Sequence, residues 1–268
     1  RDALYYLASP QRVFVDLQLS GTTGPVGSDS VGDTIANFED LHGSEFADEL
    51  RGTAGDNKIV GRAGADLIDG RGGNNELFGD DGADMIFGGA DNDTIFGGKG
   101  GDTIDAGDGM NLISGDDDDD MITAGSGPDE IHGGKGADTV HAGAGVNLVF
   151  GEDGNDVLTS LGGDDTLNGG NNDDQLNAGD GTNVLNGDAG NDLLISGSGV
   201  DNLHGGPGSD TASSGAGDDF LFAADQENER CTHRRQERDD REKGPIVHDQ
   251  APNSIKNNEA NPTTPISM

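Results

Sequence analysis

Between residues 48 and 219 the chain places an aspartate or an asparagine at every ninth position. The aspartates are Asp48, Asp66, Asp84, Asp93, Asp102, Asp120, Asp129, Asp138, Asp156, Asp165, Asp174, Asp192, Asp201, Asp210 and Asp219. The asparagines are Asn57, Asn75, Asn111, Asn147 and Asn183. Each brings a side-chain oxygen into a segment dense in glycine, whose bare backbone lets carbonyl oxygens approach one another. Carboxylates and carbonyls together suit a hard cation such as Ca²⁺, which takes six to eight oxygen ligands at roughly 2.3–2.6 Å. The run GDDDDDMIT at 115–123 belongs to this series. Asp120 is its in-phase ligand candidate and Ile122 its core residue, Asp118 takes a glycine-like turn position, and Asp116, Asp117 and Asp119 lie on the turn, solvated or peripheral to an ion.

The elements that must position these groups follow from the same period. Cut every nine residues from Gly43, the chain gives twenty units ending at Phe222 with no insertion or deletion. The eighth place is Leu, Ile or Val in nineteen units, the exception being Ala212. The fourth is Gly in sixteen, the exceptions being Phe46, Asp91, Asp118 and Asn172. Aspartate and asparagine are among the few side chains tolerated at positive φ, so most of the substitutes preserve a turn. The last three places form a minimal strand with its eighth residue inward and its neighbours outward. Composition alone, with 31% hydrophobic residues and a net charge of -37, describes a disordered chain. Phase kept over twenty consecutive units describes a stacked one.

The pattern G-G-x-G-x-D-x-U-x, where U is aliphatic, resembles the repeats-in-toxin (RTX) or haemolysin-type calcium-binding repeats over residues 43–222. The resemblance implies an all-β, right-handed parallel β-roll (a β-solenoid) stabilised by multiple Ca²⁺ ions. Two nonapeptides would make each eighteen-residue turn, and sixth-place aspartates would hold calcium between turns together with backbone carbonyls. Ten coils at about 4.8 Å would stack to roughly 50 Å.

That winding sorts the sixth places onto two edges. Asp48, Asp66, Asp84, Asp102, Asp120, Asp138, Asp156, Asp174, Asp192 and Asp210 form an aspartate edge. The other, mixed edge holds all five asparagines, and Asn and Asp alternate along it from Asn75 to Asp201. The alternation makes a super-repeat of four units, seen in 106–141, 142–177 and 178–213, each opening with Ala-Gly. Asparagine keeps an oxygen ligand but loses a charge, so a strong and a weak calcium edge are expected. Carboxylates about 5 Å apart repel by roughly 1 kcal/mol in water and about 3 kcal/mol at an effective dielectric of 20. Over a whole edge this rivals a domain's net stability of about 5–15 kcal/mol, so metal-free coils should come apart and calcium binding should become folding energy.

At the ends, residues 1–42 are expected to cap the first coil, with a half-buried strand in VFVDLQL at 13–19. Residues 223–268 abandon the repeat and mix acids with bases, and they are expected to be disordered and atypical of the family. The first residue is Arg, which suggests a piece of a longer protein. A single cysteine, Cys231, excludes an internal disulfide framework. The acidity argues against nucleic acid and anionic membranes as partners, and no apolar run is long enough for a membrane span.

No catalytic motif is present, so the chain is read as a non-enzyme. His132, His141 and His204 fall at outward ninth places and are read as surface histidines. Phe78 and Phe96 are two units apart and should stack across coils. The resemblance implies a module of a secreted bacterial protein that leaves through a type I secretion apparatus, folds in extracellular calcium and stabilises an attached upstream domain. A pore-forming cytotoxin's repeat domain, or a surface adhesin or matrix protein, are the alternative hosts.

Overall fold

The computed structural model describes residues 2–18 and 38–222, together with the backbone of the strands Gly21–Thr23, Asp33–Ile35 and Arg230–Thr232. Places seven to nine of every unit are strand, as the aliphatic eighth residue demands. Alternate strands go to two parallel sheets of twelve strands each. In the first sheet most strands of the array run on for six residues, as in Glu76–Asp81, Thr94–Lys99 and Leu112–Asp117. Those of the second are shorter, as in Leu67–Asp69 and Met85–Gly89. The crossover joining parallel strands is ordinarily a helix; here it is a short turn, and no helix occurs among the described residues.

Register is nearly uniform. Ile95 lies between Leu77 and Ile113 in one sheet, and Ile86 between Ile68 and Ile104 in the other, each partner two units away. The protein is therefore an all-β parallel solenoid of about ten turns, with two nonapeptides to the turn. Its core is two columns of eighth-place side chains, and all but the last members, Ala212 and Leu221, are sealed from solvent. Leu41 and Val15 continue the columns at the N-terminal end. Ala106, Ala124, Ala142 and Ala178, at first places along the mixed edge, are buried in the same core. The first place on that edge is never glycine after Gly88, which leaves room there for a core side chain.

The N-terminal segment lengthens both sheets. Ala3–Tyr5 pairs with Asp40–His42 in the first, and Phe14–Asp16 with Glu49–Arg51 in the second. Of the strand expected over 13–19, Phe14–Asp16 forms among the described residues 13–18, with Val13, Val15 and Leu17 buried around it. Gly21–Thr23 and Asp33–Ile35 pair antiparallel. At the other end Arg230–Thr232 pairs with Thr211–Ser213. That strand falls in the stretch from 223 onward for which disorder is expected, and it pairs with the backbone groups that the second sheet's last edge offers. The rest of 223–268 lies outside the described residues. Among the described residues no helix is long and apolar enough to cross a membrane.

Candidate metal centre

Each sixth-place carboxylate uses its two oxygens differently. Asp120 Oδ1 accepts the backbone N–H of Asp102 at 2.7 Å, and the N–H of Asp120 donates to Asp138 Oδ1 at 2.8 Å. The same bond links Asp48 to Asp66, Asp66 to Asp84 and onward to Asp192 and Asp210, at 2.7–2.9 Å. The mixed edge carries an equivalent ladder, from the Asn57 N–H on Asn75 Oδ1 at 3.0 Å to the Asp201 N–H on Asp219 Oδ1 at 3.1 Å. One oxygen of each of these side chains thus holds the preceding coil, a role the sequence does not reveal.

The second oxygen is the unusual one. On the aspartate edge, Oδ2 of Asp66, Asp84, Asp102, Asp120, Asp138, Asp156, Asp174 and Asp192 is buried with no hydrogen-bond donor. A buried carboxylate oxygen left bare costs about 1–3 kcal/mol or more. Burial, reinforced at Asp120 by the charges of Asp102 and Asp138, accordingly pushes these carboxyls far up. Asp120 rises to about 8, and Asp66, Asp102 and Asp174 to about 7. Asp84, Asp138, Asp156 and Asp192 rise to about 6.

On the mixed edge, Oδ2 of Asp93, Asp129, Asp165 and Asp201 also makes no bond of normal length. Burial raises these four too, Asp93 to about 6, but the side chains of Asn75, Asn111, Asn147 and Asn183 offset part of the rise. The two edges therefore differ in what lies beside their carboxylates, aspartates on one and asparagine amides on the other. A row of bare, buried, anionic oxygens is what a divalent cation fits, and the residues present are suited to calcium. Among the described residues no three His, Cys, Asp or Glu side chains converge into a cluster. The six to eight oxygens calcium needs must then come largely from the main chain.

The first and last aspartates depart from the pattern or end it. Asp48 Oδ1 accepts the Val13 N–H at 2.6 Å, and its Oδ2 accepts the Ser44 N–H at 2.6 Å and the Ser44 hydroxyl at 3.0 Å. Both its oxygens are satisfied by the chain. Asp210 and Asp219 close their ladders by accepting from Asp192 and Asp201.

A family model described as the RTX calcium-binding nonapeptide repeat (4 copies) matches nine stretches, most of them overlapping, within residues 42–228. The chain belongs to the RTX calcium-binding repeat family. Comparison with curated proteins gives no significant match.

Within this RTX array the five aspartates of 116–120 prove to have separate roles. Asp116 has φ of 79° and accepts the Ser114 hydroxyl at 2.6 Å, and Asp117 accepts from Lys135 Nζ at 2.6 Å. Asp118 takes the fourth, left-handed place at φ 80°, and Asp119 accepts the Ala137 N–H at 2.7 Å. Of the five, only Asp120 buries a bare oxygen. The left-handed fourth place anticipated for Asp91, Asp118 and Asn172 is present at all three. Arg62, Asp80, Asp116, Glu152 and Asp188, at second places on the aspartate edge, are left-handed as well, in the place the motif gives to its second glycine. At Gly115 a side chain is excluded, because a Cβ there would collide with Asp120 Oδ2 and the Gly133 carbonyl.

The ninth-place aromatics form ladders outside the sheets. Phe78 stacks on Phe96 with centroids 5.4 Å apart, and His132 stacks on Phe150 at 4.8 Å. His204 stacks on Phe222 at 4.3 Å, and His141 Nδ1 lies 2.6 Å from Thr159 Oγ1. The histidines are spread along the sheet faces, in keeping with a surface role.

Proposed function

We propose that this RTX array is a calcium-driven folding module of a secreted bacterial protein. It stays unfolded in the low calcium of the cytosol, passes through a type I secretion channel and folds outside, where it stabilises an attached domain. The observation that supports this reading is the row of eight buried Oδ2 atoms with no donor along the aspartate edge. Once ionised they set unpaired charge inside the stack, so the coil needs a cation, or a proton in its place, to hold together. The sixth-place aspartates would hold calcium together with turn carbonyls, and bound calcium would neutralise the carboxylates and tie adjacent coils. Asp48 is set apart as a capping residue, because Val13 and Ser44 already satisfy it. Residues 1–42 act as the N-terminal cap, supported by the bidentate pair that Arg71 makes with Asp16 at 2.8 and 2.7 Å.

The test is a calcium titration followed by far-UV circular dichroism, with magnesium as control. A cooperative gain of β signal at about 0.1–1 mM calcium, absent with magnesium, is expected. A fully formed β signal in excess chelator at neutral pH would refute the folding switch.

A further inference from the structure

The mixed edge raises a question that charge alone does not answer: what holds its turns where the carboxylate is missing? Asn75 and Asp93 occupy successive coils of this edge. A Cβ placed on Gly88 would meet Asp93 Oδ2 at 2.5 Å, and one placed on Gly70 would meet Asn75 Nδ2 at 2.7 Å. The amide nitrogen therefore stands where aspartate presents its bare oxygen. Both side chains keep their Oδ1 in the ladder, since Asn57 donates to Asn75 and Asn75 donates to Asp93.

The chemistry of that one atom is reversed. Aspartate Oδ2 can only accept, and it faces a site with no donor. Asparagine Nδ2 can only donate, and it finds backbone carbonyls. Asn75 Nδ2 donates to Gly73 O at 3.0 Å and to Gly88 O at 3.4 Å. Asn111 donates to Gly107 O at 3.2 Å, and Asn183 donates to Gly179 O at 3.3 Å. Asn57 reaches Glu39 O at 3.2 Å. Asn147 makes no such bond; its effect is on Asp165, whose rise it restrains. All five asparagines are buried, so the donor acts in place of solvent as well.

We propose that Asn75, Asn111 and Asn183 are built-in substitutes for the cation, their amides donating to carbonyl oxygens an ion would otherwise bind and each so removing one ion from the stack. Ser44 does the same for Asp48 from outside the side chain, supplying an N–H and a hydroxyl to its Oδ2. These three positions are then metal-independent fasteners along the mixed edge, and ions are confined to positions with a bare Oδ2. This inference rests on the calcium-binding reading above, and its test separates the two.

The experiment counts ions. Full-length wild type, Asn111→Asp and the double variant Asn111→Asp/Asn183→Asp are equilibrated with isotopic calcium in dialysis at saturation. Asn111→Asp should bind one more ion than wild type and the double variant two more. Asp129→Asn, which adds a donor, should fold in calcium and bind one fewer, so the count can still be made if the added carboxylates prevent folding. A wild type that binds calcium while all variants keep its stoichiometry would overturn the substitution of ion by amide. A wild type that binds no calcium would overturn the underlying calcium reading instead.

Discussion

A metal-free RTX roll should be rescued by acid. An unfolded aspartate titrates near 3.8, whereas the eight bare carboxyls of the aspartate edge titrate between about 6 and about 8 in the roll. Between those limits the folded state holds protons that the unfolded chain has released, so folding is favoured as pH falls. The contribution is fully present below the unfolded value of 3.8 and is lost as pH rises through about 6 to 8. Raising one carboxyl from 3.8 to about 6 corresponds to about 3 kcal/mol. Halved for the water that reaches the turn rims, this leaves about 1.5 kcal/mol per residue. Eight such residues give on the order of 10 kcal/mol, comparable to the whole net stability of a domain, about 5–15 kcal/mol.

The assay is far-UV circular dichroism of calcium-stripped protein, stepped from about pH 8 to about pH 4.5, with thermal melts at each step. Acid also relieves the general repulsion of a chain of net charge -37. The series is therefore repeated in about 1 M salt, where the Debye length is roughly 3 Å and surface repulsion is screened but buried carboxyls are not. Appearance of β signal on acidification at both salt concentrations is expected. A metal-free chain equally unfolded at both ends of the range, or better folded at pH 8, would sink the reasoning.

Three further outcomes follow from particular contacts. Gly115→Ala should cost about 1–3 kcal/mol in the calcium-loaded state and raise the calcium midpoint, because the new Cβ displaces Asp120 and the Gly133 carbonyl. Ile122→Ala, at a fully buried position, should cost about 2–5 kcal/mol in calorimetric or denaturant unfolding of the calcium-loaded protein. Arg71→Ala removes both bonds to Asp16 and should destabilise the N-terminal coil by about 1.5–3 kcal/mol. Hydrogen exchange should show that loss around Val13–Asp16 and leave the coils from Asp102 onward unchanged.

Much of the fold was legible because the period of nine constrains backbone and core together. An eighth-place aliphatic such as Ile122 announces a strand and its inward face, and an aspartate such as Asp91 in a glycine's place announces positive φ. What stayed hidden depends on the next coil. The residue types of Arg62 and Glu152 do not announce a left-handed second place; only their phase with the motif's second glycine does, because the backbone course is common to every coil. The exposed ladders at fifth places, such as the Asn92 N–H on Asn74 Oδ1 at 3.0 Å, are likewise invisible until coils are stacked. The asparagines were legible as weaker ligands by charge, but the direction of their amide, and hence a donor in place of an oxygen, required coordinates. Asp48 is in phase with the motif's sixth place although Ser44 and Phe46 replace two of its glycines, and it differs because Ser44 and Val13 reach it.

The repeated two-unit offset between paired strands has a drawback as well as a use. Residues 106–141, 142–177 and 178–213 share one pattern, so a strand slipped by four units would meet nearly the same aliphatic, carboxylate and amide neighbours. The product would be a shorter stack with two coils looped out, and the repeat interior alone offers little to reject it. The irregular N-terminal coil supplies what the interior lacks. Ala3 pairs with Asp40 and Phe14 with Glu49, offsets close to four units and found nowhere else in the described sheets. Arg71 can clasp Asp16, and Ser44 can satisfy Asp48, in one alignment only. Counting that starts from this end fixes the registry of the first coils, and each correctly seated coil then becomes the template for the next.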